Sequence, residues 1–166
     1  MIAVRPIVIC GQVNKSPEQT IDITIFTTHA KKNSIFSKDY QLSQLNKSDI
    51  SECEHILKNF IDQYNIKGKI KLDSLEKHYN TPKYKGIQFL ENQFYIDLQK
   101  YGRQYIAVKD KHSHKIVYIN CFCNPSEFTY RKHDWVQVDD GGNCFFQIKI
   151  DLNDKKVIDF RENGVA

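Results

Sequence analysis

The cysteines come closest to forming a chemical site. Cys121 and Cys123 lie two residues apart in a β-rich run, so both thiols would face one side of a strand, about 7 Å apart. Cys144 could lie on a neighbouring strand, and three thiolates with one of the six histidines would form an ordinary zinc ligand set. The spacing is shorter than that of a zinc knuckle, and free cysteines are among the most buried residue types. We therefore expect inert core thiols, with a zinc or thiol site as an alternative.

Two other groups have ligand-type side chains. His112 and His114 lie in a predicted turn, where two imidazoles could bind a metal ion, but the sequence shows no third ligand beside them. Residues 139–143 combine two aspartates with two glycines, yet they lack the regular oxygen spacing of a calcium loop and are typical of a turn. No nucleophile elbow or phosphate-binding glycine loop is present. The sequence therefore favours a protein that is not an enzyme, and we expect no cofactor.

A basic segment is the second kind of candidate site. Six lysines lie from Lys67 to Lys85, against two acidic residues, whereas residues 134–162 carry seven acidic residues against four basic ones. Tyrosines are interleaved with these lysines, and lysines with stacking aromatic rings are typical of proteins that bind single-stranded nucleic acid. A solvated loop gives the same composition, and the net charge of the chain is a modest +4. The candidate nucleic-acid or partner-binding residues are Lys67, Lys69, Lys71, Lys83, Lys85, Tyr84 and Arg103.

Length and composition indicate one soluble α+β domain. A chain of 166 residues with 40% apolar residues can bury a single core, and no run approaches the 20 apolar residues of a membrane helix. The apolar stretch from Ile2 to Cys10 is interrupted by Arg5 and Pro6, so we interpret it as a first strand and not as a signal peptide. Five cysteines in no recognised framework favour reduced thiols and a cytoplasmic location, with an exported mature chain as the alternative.

The sequence predicts one long helix in the first half of the chain. Apolar residues recur from Leu45 to Tyr64 with the spacing of an amphipathic helix, and Asn46 or Ser48 can serve as the N-cap. The stretch from Asn65 to Gly68 is predicted to end this helix. Residues 67–86 then show no sustained periodicity and contain Pro82, which predicts a long, exposed, basic loop.

The remaining pattern is dominated by hairpins. Residues 1–30 are predicted to hold an N-terminal hairpin. The pattern from Ile87 to Tyr101 suits either a helix or a strand, and we favour a strand at Phe94–Leu98. Further strands are expected at Gln104–Val108, Ile116–Cys123, Trp135–Val138, Phe145–Leu152 and Val157–Phe160. Strands that follow one long helix predict an α+β domain over residues 1–166, with the helix packed on a curled, mainly antiparallel sheet, as in cystatin-like and related folds.

The second half of the chain also supports one intact domain. Its motifs are the runs Arg103–Ile106, Tyr118–Cys123 and Val138–Cys144, together with the ending Asn163–Gly164. In these motifs the C-terminal half resembles small bacterial α+β proteins of unknown function. The resemblance implies no activity and assigns no catalytic residue.

These observations leave three functions open. A well-formed core without a catalytic motif favours a non-catalytic binding module, such as an inhibitor or immunity-type protein that contacts another protein. A nucleic-acid-binding protein that uses the basic segment is the main alternative, and an enzyme around Cys121, Cys123 and Cys144 is the third.

Overall fold

The computed structural model describes residues 21–84 and 86–164. The predicted first strand, the apolar stretch from Ile2 to Cys10, and Lys85 lie outside this part of the chain. The helices and strands are β1 (Ile23–Ile25), α1 (His29–Asn33), β2 (Gln41–Ser43), α2 (Lys47–Tyr79), β3 (Tyr101–Lys109), β4 (Lys115–Cys123), β5 (Phe145–Asp151) and β6 (Lys156–Glu162). Short 3-10 turns occur at Pro82–Tyr84, Glu91–Gln93, Leu98–Lys100, Pro125–Glu127 and Gly142–Cys144.

The strands of the described residues form one open, mixed sheet of six strands. Its order is β1-β3-β4-β5-β6, and every pair in this path is antiparallel except β1 with β3. Strand β2 also pairs with β3, at residues 107–109, beyond the three residues that pair with β1. The structure confirms the predicted α+β class, with one long helix on a mainly antiparallel sheet, and it confirms the hairpins β3–β4 and β5–β6.

Each face of the sheet is covered by a different part of the chain. Alternate residues of β3, β4 and β5 face α2, where Leu57 and Ile61 pack against Tyr105, Ile119 and neighbouring side chains. The opposite face carries a second cluster, made by Phe26, Phe36, Ile106, Val108, Ile116 and Trp135. The two faces account for the continuous burial of β3, which is exposed only at its last residue.

Helix α2 begins as predicted and ends fifteen residues later than predicted. A capping box closes its first turn, because Asn46 Oδ1 accepts from the Asp49 amide at 2.8 Å and the Asp49 carboxylate accepts from the Asn46 amide at 3.0 Å. The helix then runs without interruption to Tyr79. The prediction of a loop over residues 67–86 is therefore wrong, since residues 67–79 are helical.

Two residues explain the missed helix boundary. The side chain of Asn65 accepts from the Ile96 amide at 2.8 Å and donates to the Ile96 carbonyl at 2.9 Å. A Cβ on Gly68 would lie 2.0 Å from the Phe94 carbonyl oxygen, so only glycine permits this approach. Both residues dock residues 94–96 onto α2, and neither stops the helix. The predicted strand at 94–98 is also wrong, because this backbone pairs with a side chain and then forms a 3-10 turn.

The connection between β4 and β5 is held on the sheet by buried amides. Gln104 Nε2 donates to the carbonyls of Arg131 and Asp134 at 2.7 and 2.6 Å, and its Oε1 accepts from the Val136 amide at 2.9 Å. Asn120 Nδ2 donates to the Val136 carbonyl at 2.8 Å. The predicted strand at 135–138 is not formed, because these side chains satisfy the backbone groups that a neighbouring strand would otherwise bind.

Candidate functional site

The second half of α2 and the chain that packs on it form a distinct surface, which we call the arm. It comprises residues 65–84 and 86–96. The buried residues of α2 end at Ile61, and Tyr64 makes the last contacts with β6, through the Phe160 ring and the Glu162 carboxylate. Beyond this point the helix packs on residues 89–96. The arm is therefore positioned by α2 and by its docked segment. Ile96 anchors that segment in the core, and the Asn143 side chain donates to the carbonyls of Asn92 and Tyr95 at 2.8 and 3.2 Å.

Large apolar side chains are exposed along the arm. Among the described residues nine large hydrophobic side chains are exposed, and five of them belong to the arm: Ile66, Ile70, Ile87, Leu90 and Tyr95. Ile66 and Ile70 are 53% and 65% exposed and lie one helical turn apart, so they share one face of α2. The arm thus carries a group of apolar side chains that the core does not bury.

Lysines of α2 flank the exposed Ile66–Ile70 pair. Lys67, Lys69 and Lys71 are exposed on the helix, and Lys71 Nζ lies 5.9 Å from the centre of the Phe94 ring. The described part of the arm has five lysines, at positions 67, 69, 71, 77 and 83, against the acidic residues Asp73, Glu76 and Glu91. Within residues 21–84 and 86–164 none of these five lysines forms an ion pair, so the positive charge is available to a partner.

Aromatic rings cluster where α2 ends. The Tyr79 ring packs against Tyr84 and Phe89, with ring centres 4.8 and 5.5 Å apart, and His78 stacks on Tyr84 at 6.2 Å. Lys83 Nζ lies 5.2 Å from the centre of the Tyr84 ring. A groove of about 940 Å³ runs beside these rings. Lysine and tyrosine are therefore close together at the tip of the arm, as the sequence predicts for Lys83 and Tyr84.

Arg103 does not belong to this surface, contrary to the prediction. Its side chain is 2% exposed, beneath α2. Its guanidinium donates to the carbonyls of Tyr101 and Leu98 at 3.0 and 3.1 Å, and Nε forms an ion pair with Glu54 at 3.0 Å in a geometry that is not that of a hydrogen bond. The Tyr105 hydroxyl donates to the same Glu54 carboxylate. Arg103 holds the turn before β3 and is inaccessible to a macromolecular partner.

The four cysteines within residues 21–84 and 86–164 form no set of three thiolates. Cys123 and Cys144 are joined in a disulfide with their Cα atoms 5.2 Å apart, so the expected reduced state is wrong for this pair. Cys121 is fully buried, and burial raises the pKa of its thiol to about 12. The zinc ligand set of Cys121, Cys123 and Cys144 is consequently not formed, and Cys121 is the inert core thiol that we expected.

The structure does bring ligands to one of the predicted histidines. His114 Nδ1 lies 2.9 Å from Asp151 Oδ2, and ligand atoms of His114, Asp151 and Asp154 all lie within 4.8 Å of one another. In the described part of the chain no other group of three histidine, cysteine or acidic side chains meets this spacing. Sequence reasoning missed it because the aspartates lie 37 or more residues away, and only the pairing of β4 with β5 joins the two turns.

Comparisons with known proteins do not assign the chain to a family. No protein-family model matches it, and neither do curated proteins or solved structures. Among the helices of the described residues, none is long and apolar enough to cross a membrane.

Proposed function

We propose that this protein is a non-catalytic binding module that holds another protein on its arm. The observation that carries the proposal is the exposure of Ile66 and Ile70 on one face of α2, where Ile66 and Tyr95 line the same cavity. Single exposed apolar side chains are normal, whereas several on one structural element are typical of an interaction surface. An inhibitor or immunity-type protein would act through such a surface without any chemistry of its own.

The charges around the apolar group indicate the chemistry of the partner. Lys67 and Lys71 lie on one side of the Ile66–Ile70 pair, and Lys69 lies on another, and none of the three is neutralised by an ion pair among the described residues. Interfaces commonly have an apolar centre and a polar rim of complementary charge. The partner surface should therefore be apolar in its centre and acidic at its edge.

The docking of the arm also supports a binding role. Asn65 and Gly68 fix residues 94–96 against α2, so Tyr95 and Ile66 are held on a preformed surface. A preformed surface loses less conformational entropy on association than a mobile loop. The state of the candidate thiols also supports a non-catalytic role. Cys121 is buried and Cys123 is bonded to Cys144, so neither is available as a nucleophile.

The test compares two charge insertions on different surfaces. The variant Ile66→Glu/Ile70→Glu alters the arm, and Ile158→Glu alters an equally apolar, 46% exposed position on β6. Proteins captured by the wild type and by Ile158→Glu, but lost with the arm variant, are purified and titrated against all three chains. We expect one partner whose affinity falls at least about 100-fold with the arm variant, as for a central interface pair. Equal affinity for all three chains would contradict the proposal, as would a reproducible catalytic turnover.

A second candidate function is the binding of single-stranded nucleic acid. The observation that favours it is the Tyr79–Tyr84–His78 cluster beside Lys83, because stacked rings and lysines can hold bases and phosphates. A labelled oligothymidine would bind with an affinity that falls steeply with salt. Lys67→Glu/Lys71→Glu should weaken this binding, whereas the charge-matched Lys38→Glu/Lys111→Glu, away from the arm, should not. No binding at low salt would exclude this candidate.

The cytoplasmic location stays a prediction. The Cys123–Cys144 disulfide is more typical of proteins that mature in an oxidising compartment. Labelling of free thiols in protein isolated under acid quench would distinguish the cytoplasm from an oxidising compartment. Cys123 and Cys144 would be labelled in a cytoplasmic protein and protected in an exported one.

A further inference from the structure

We propose that the adjoining ends of two β-hairpins form a divalent-metal site, with His114, Asp151 and Asp154 as the ligands. The site is independent of the arm, and a borderline cation such as Zn²⁺ is the ion that its mixed nitrogen and oxygen donors fit.

Both hairpins hold their ligands on ordered backbone. Asp110 Oδ1 accepts from the amides of His112 and His114 at 2.8 and 2.9 Å, which fixes the turn before β4. Asn153 Oδ1 accepts from the Lys115 amide at 2.8 Å and ties the second turn to the first. The three ligands thus come from two turns that the sheet already holds side by side.

The hydrogen bonds of Asp151 leave one of its oxygens facing the imidazole. This carboxylate is 5% exposed, and its Oδ1 accepts from the amides of Asn153 and Asp154 at 2.9 and 3.2 Å. Its Oδ2 lies 2.9 Å from His114 Nδ1. A cation can replace the proton between these two atoms, and the backbone hydrogen bonds to Oδ1 then orient the ligand.

The spacing needs only small adjustments. A tetrahedral zinc ion with bonds of about 2.0 to 2.1 Å holds its ligand atoms about 3.3 Å apart. The ligand atoms of this group already lie within 4.8 Å of one another. Asp154 is exposed and can move, and although its Oδ2 accepts from Lys156 Nζ at 2.7 Å, its other oxygen is left for the ion.

The surroundings favour a cation. Asp110 Oδ1 accepts from the His114 amide, so the carboxylates of Asp110, Asp151 and Asp154 all lie near His114, against the ammonium of Lys156. Three protein ligands leave a fourth position on a tetrahedral ion for water. A bound ion would therefore link the two turns and present one exchangeable position.

The test is a titration of the full-length, disulfide-bonded chain with zinc chloride, by calorimetry at neutral pH. A Cys10→Ser background removes a thiol that could bind zinc elsewhere. We expect saturable binding of one ion, weakened about ten-fold or more by His114→Gln and by Asp154→Asn. The matched control is His133→Gln, which removes an exposed imidazole from another part of the surface and should bind zinc as the background chain does.

A folding control separates loss of zinc binding from loss of structure in the variants. Asp154 is exposed, so Asp154→Asn should keep the fold, which circular dichroism checks. Zinc should raise the melting temperature of the background chain and of His133→Gln, and should raise that of Asp154→Asn less at the same zinc concentration. The proposal is overturned if the background chain shows no saturable binding, or if His114→Gln and Asp154→Asn bind zinc as tightly as His133→Gln does. The His114–Asp151 pair would then be only a link between two turns.

Discussion

The side-chain amide of Asn65 bonds both backbone polar groups of Ile96, accepting from its N–H at 2.8 Å and donating to its carbonyl at 2.9 Å. Asn65 lies in the middle of a long helix. Its side chain satisfies the backbone of an extended segment, as the backbone of a neighbouring strand would. Ile96 is 1% exposed, so its backbone would otherwise be buried without partners.

Replacing Asn65 should undock this segment. Asn65→Ala removes two hydrogen bonds and leaves buried groups unpaired, which should lower the free energy of unfolding by about 2 to 4 kcal/mol. Urea denaturation measures the change. Asn59→Ala, at an exposed position on the same helix, should stay within about 0.5 kcal/mol of the wild type. Similar values for the two variants would show that the docking contributes no stability.

Gly68→Ala offers a test in which two effects have opposite signs. Helix propensity alone predicts stabilisation by about 1 kcal/mol. The new Cβ would lie 2.0 Å from the Phe94 carbonyl oxygen, which forces the docked segment away. We expect net destabilisation, seen as a lower denaturation midpoint. A rise in the midpoint would mean that residues 94–96 do not pack on Gly68.

The buried Gln104 should not tolerate a change to glutamate. The isosteric Gln104→Glu replaces a donor to two carbonyls by an oxygen, and so places like partial charges together inside the protein. We expect a loss of about 3 kcal/mol or more in the free energy of unfolding. Gln147→Glu, which is only partly buried, is the matched control and should cost less. Equal losses would assign no special role to the amide of Gln104.

The disulfide should stabilise the protein through its loop. Cys123 and Cys144 are 21 residues apart in sequence, and a cross-link of this length contributes about 3 kcal/mol by restricting the unfolded chain. Dithiothreitol should lower the urea midpoint of the wild type. The variant Cys123→Ser/Cys144→Ser should be destabilised to a similar extent and should not respond to the reductant. A wild-type midpoint that is unaffected by reduction would show that the pair is not bonded.

Acid should weaken the start of α2. Burial opposes ionisation of Asp49, but its hydrogen bonds with Lys115 and with the Asn46 amide outweigh that effect, and the pKa of Asp49 lies below its ordinary value of 3.8. A carboxyl with a lowered folded-state pKa contributes stability that is complete above its unfolded pKa and is lost as the pH falls through the folded one.

The Asp49 contribution can be measured by comparing pH profiles. Asp49→Asn should lower stability at neutral pH, and its free energy of unfolding should fall less than that of the wild type as the pH drops below about 4. Urea denaturation across this range gives both curves. Parallel curves would show that the Asp49–Lys115 pair, at 2.8 Å, does not contribute to the pH dependence.

Local patterns predicted the parts of the fold that depend on local chemistry. The Asn46 cap, the amphipathic first half of α2 and the two C-terminal hairpins follow from periodicity and turn residues. The second half of α2 was missed because it buries no residue, so it has no continuous apolar stripe to detect. Asn65 and Gly68 are ordinary stop residues by type, and their docking role depends on a segment some thirty residues away.

The candidate sites also depend on contacts between distant segments, which local sequence patterns do not reveal. Lysines and tyrosines could be assigned to a binding surface from composition, and the structure places Lys67 and Lys71 one turn apart on α2. Arg103 could not be separated from them, because its burial depends on Glu54 in a different element. The pairing of His114 with Asp151 likewise depends on strand register, which no short motif encodes.

Trp135 is the only tryptophan in the chain, and it lies where three distant segments meet. Its indole donates to Ser34 Oγ at 3.1 Å and packs edge-on against Phe26 and Tyr118, with ring centres 4.5 and 5.5 Å apart. Indole emission depends strongly on contact with water, so the native sequence contains its own fluorophore at this junction. A red shift of that emission would report that the β4–β5 connection has left the sheet, without any label on the protein.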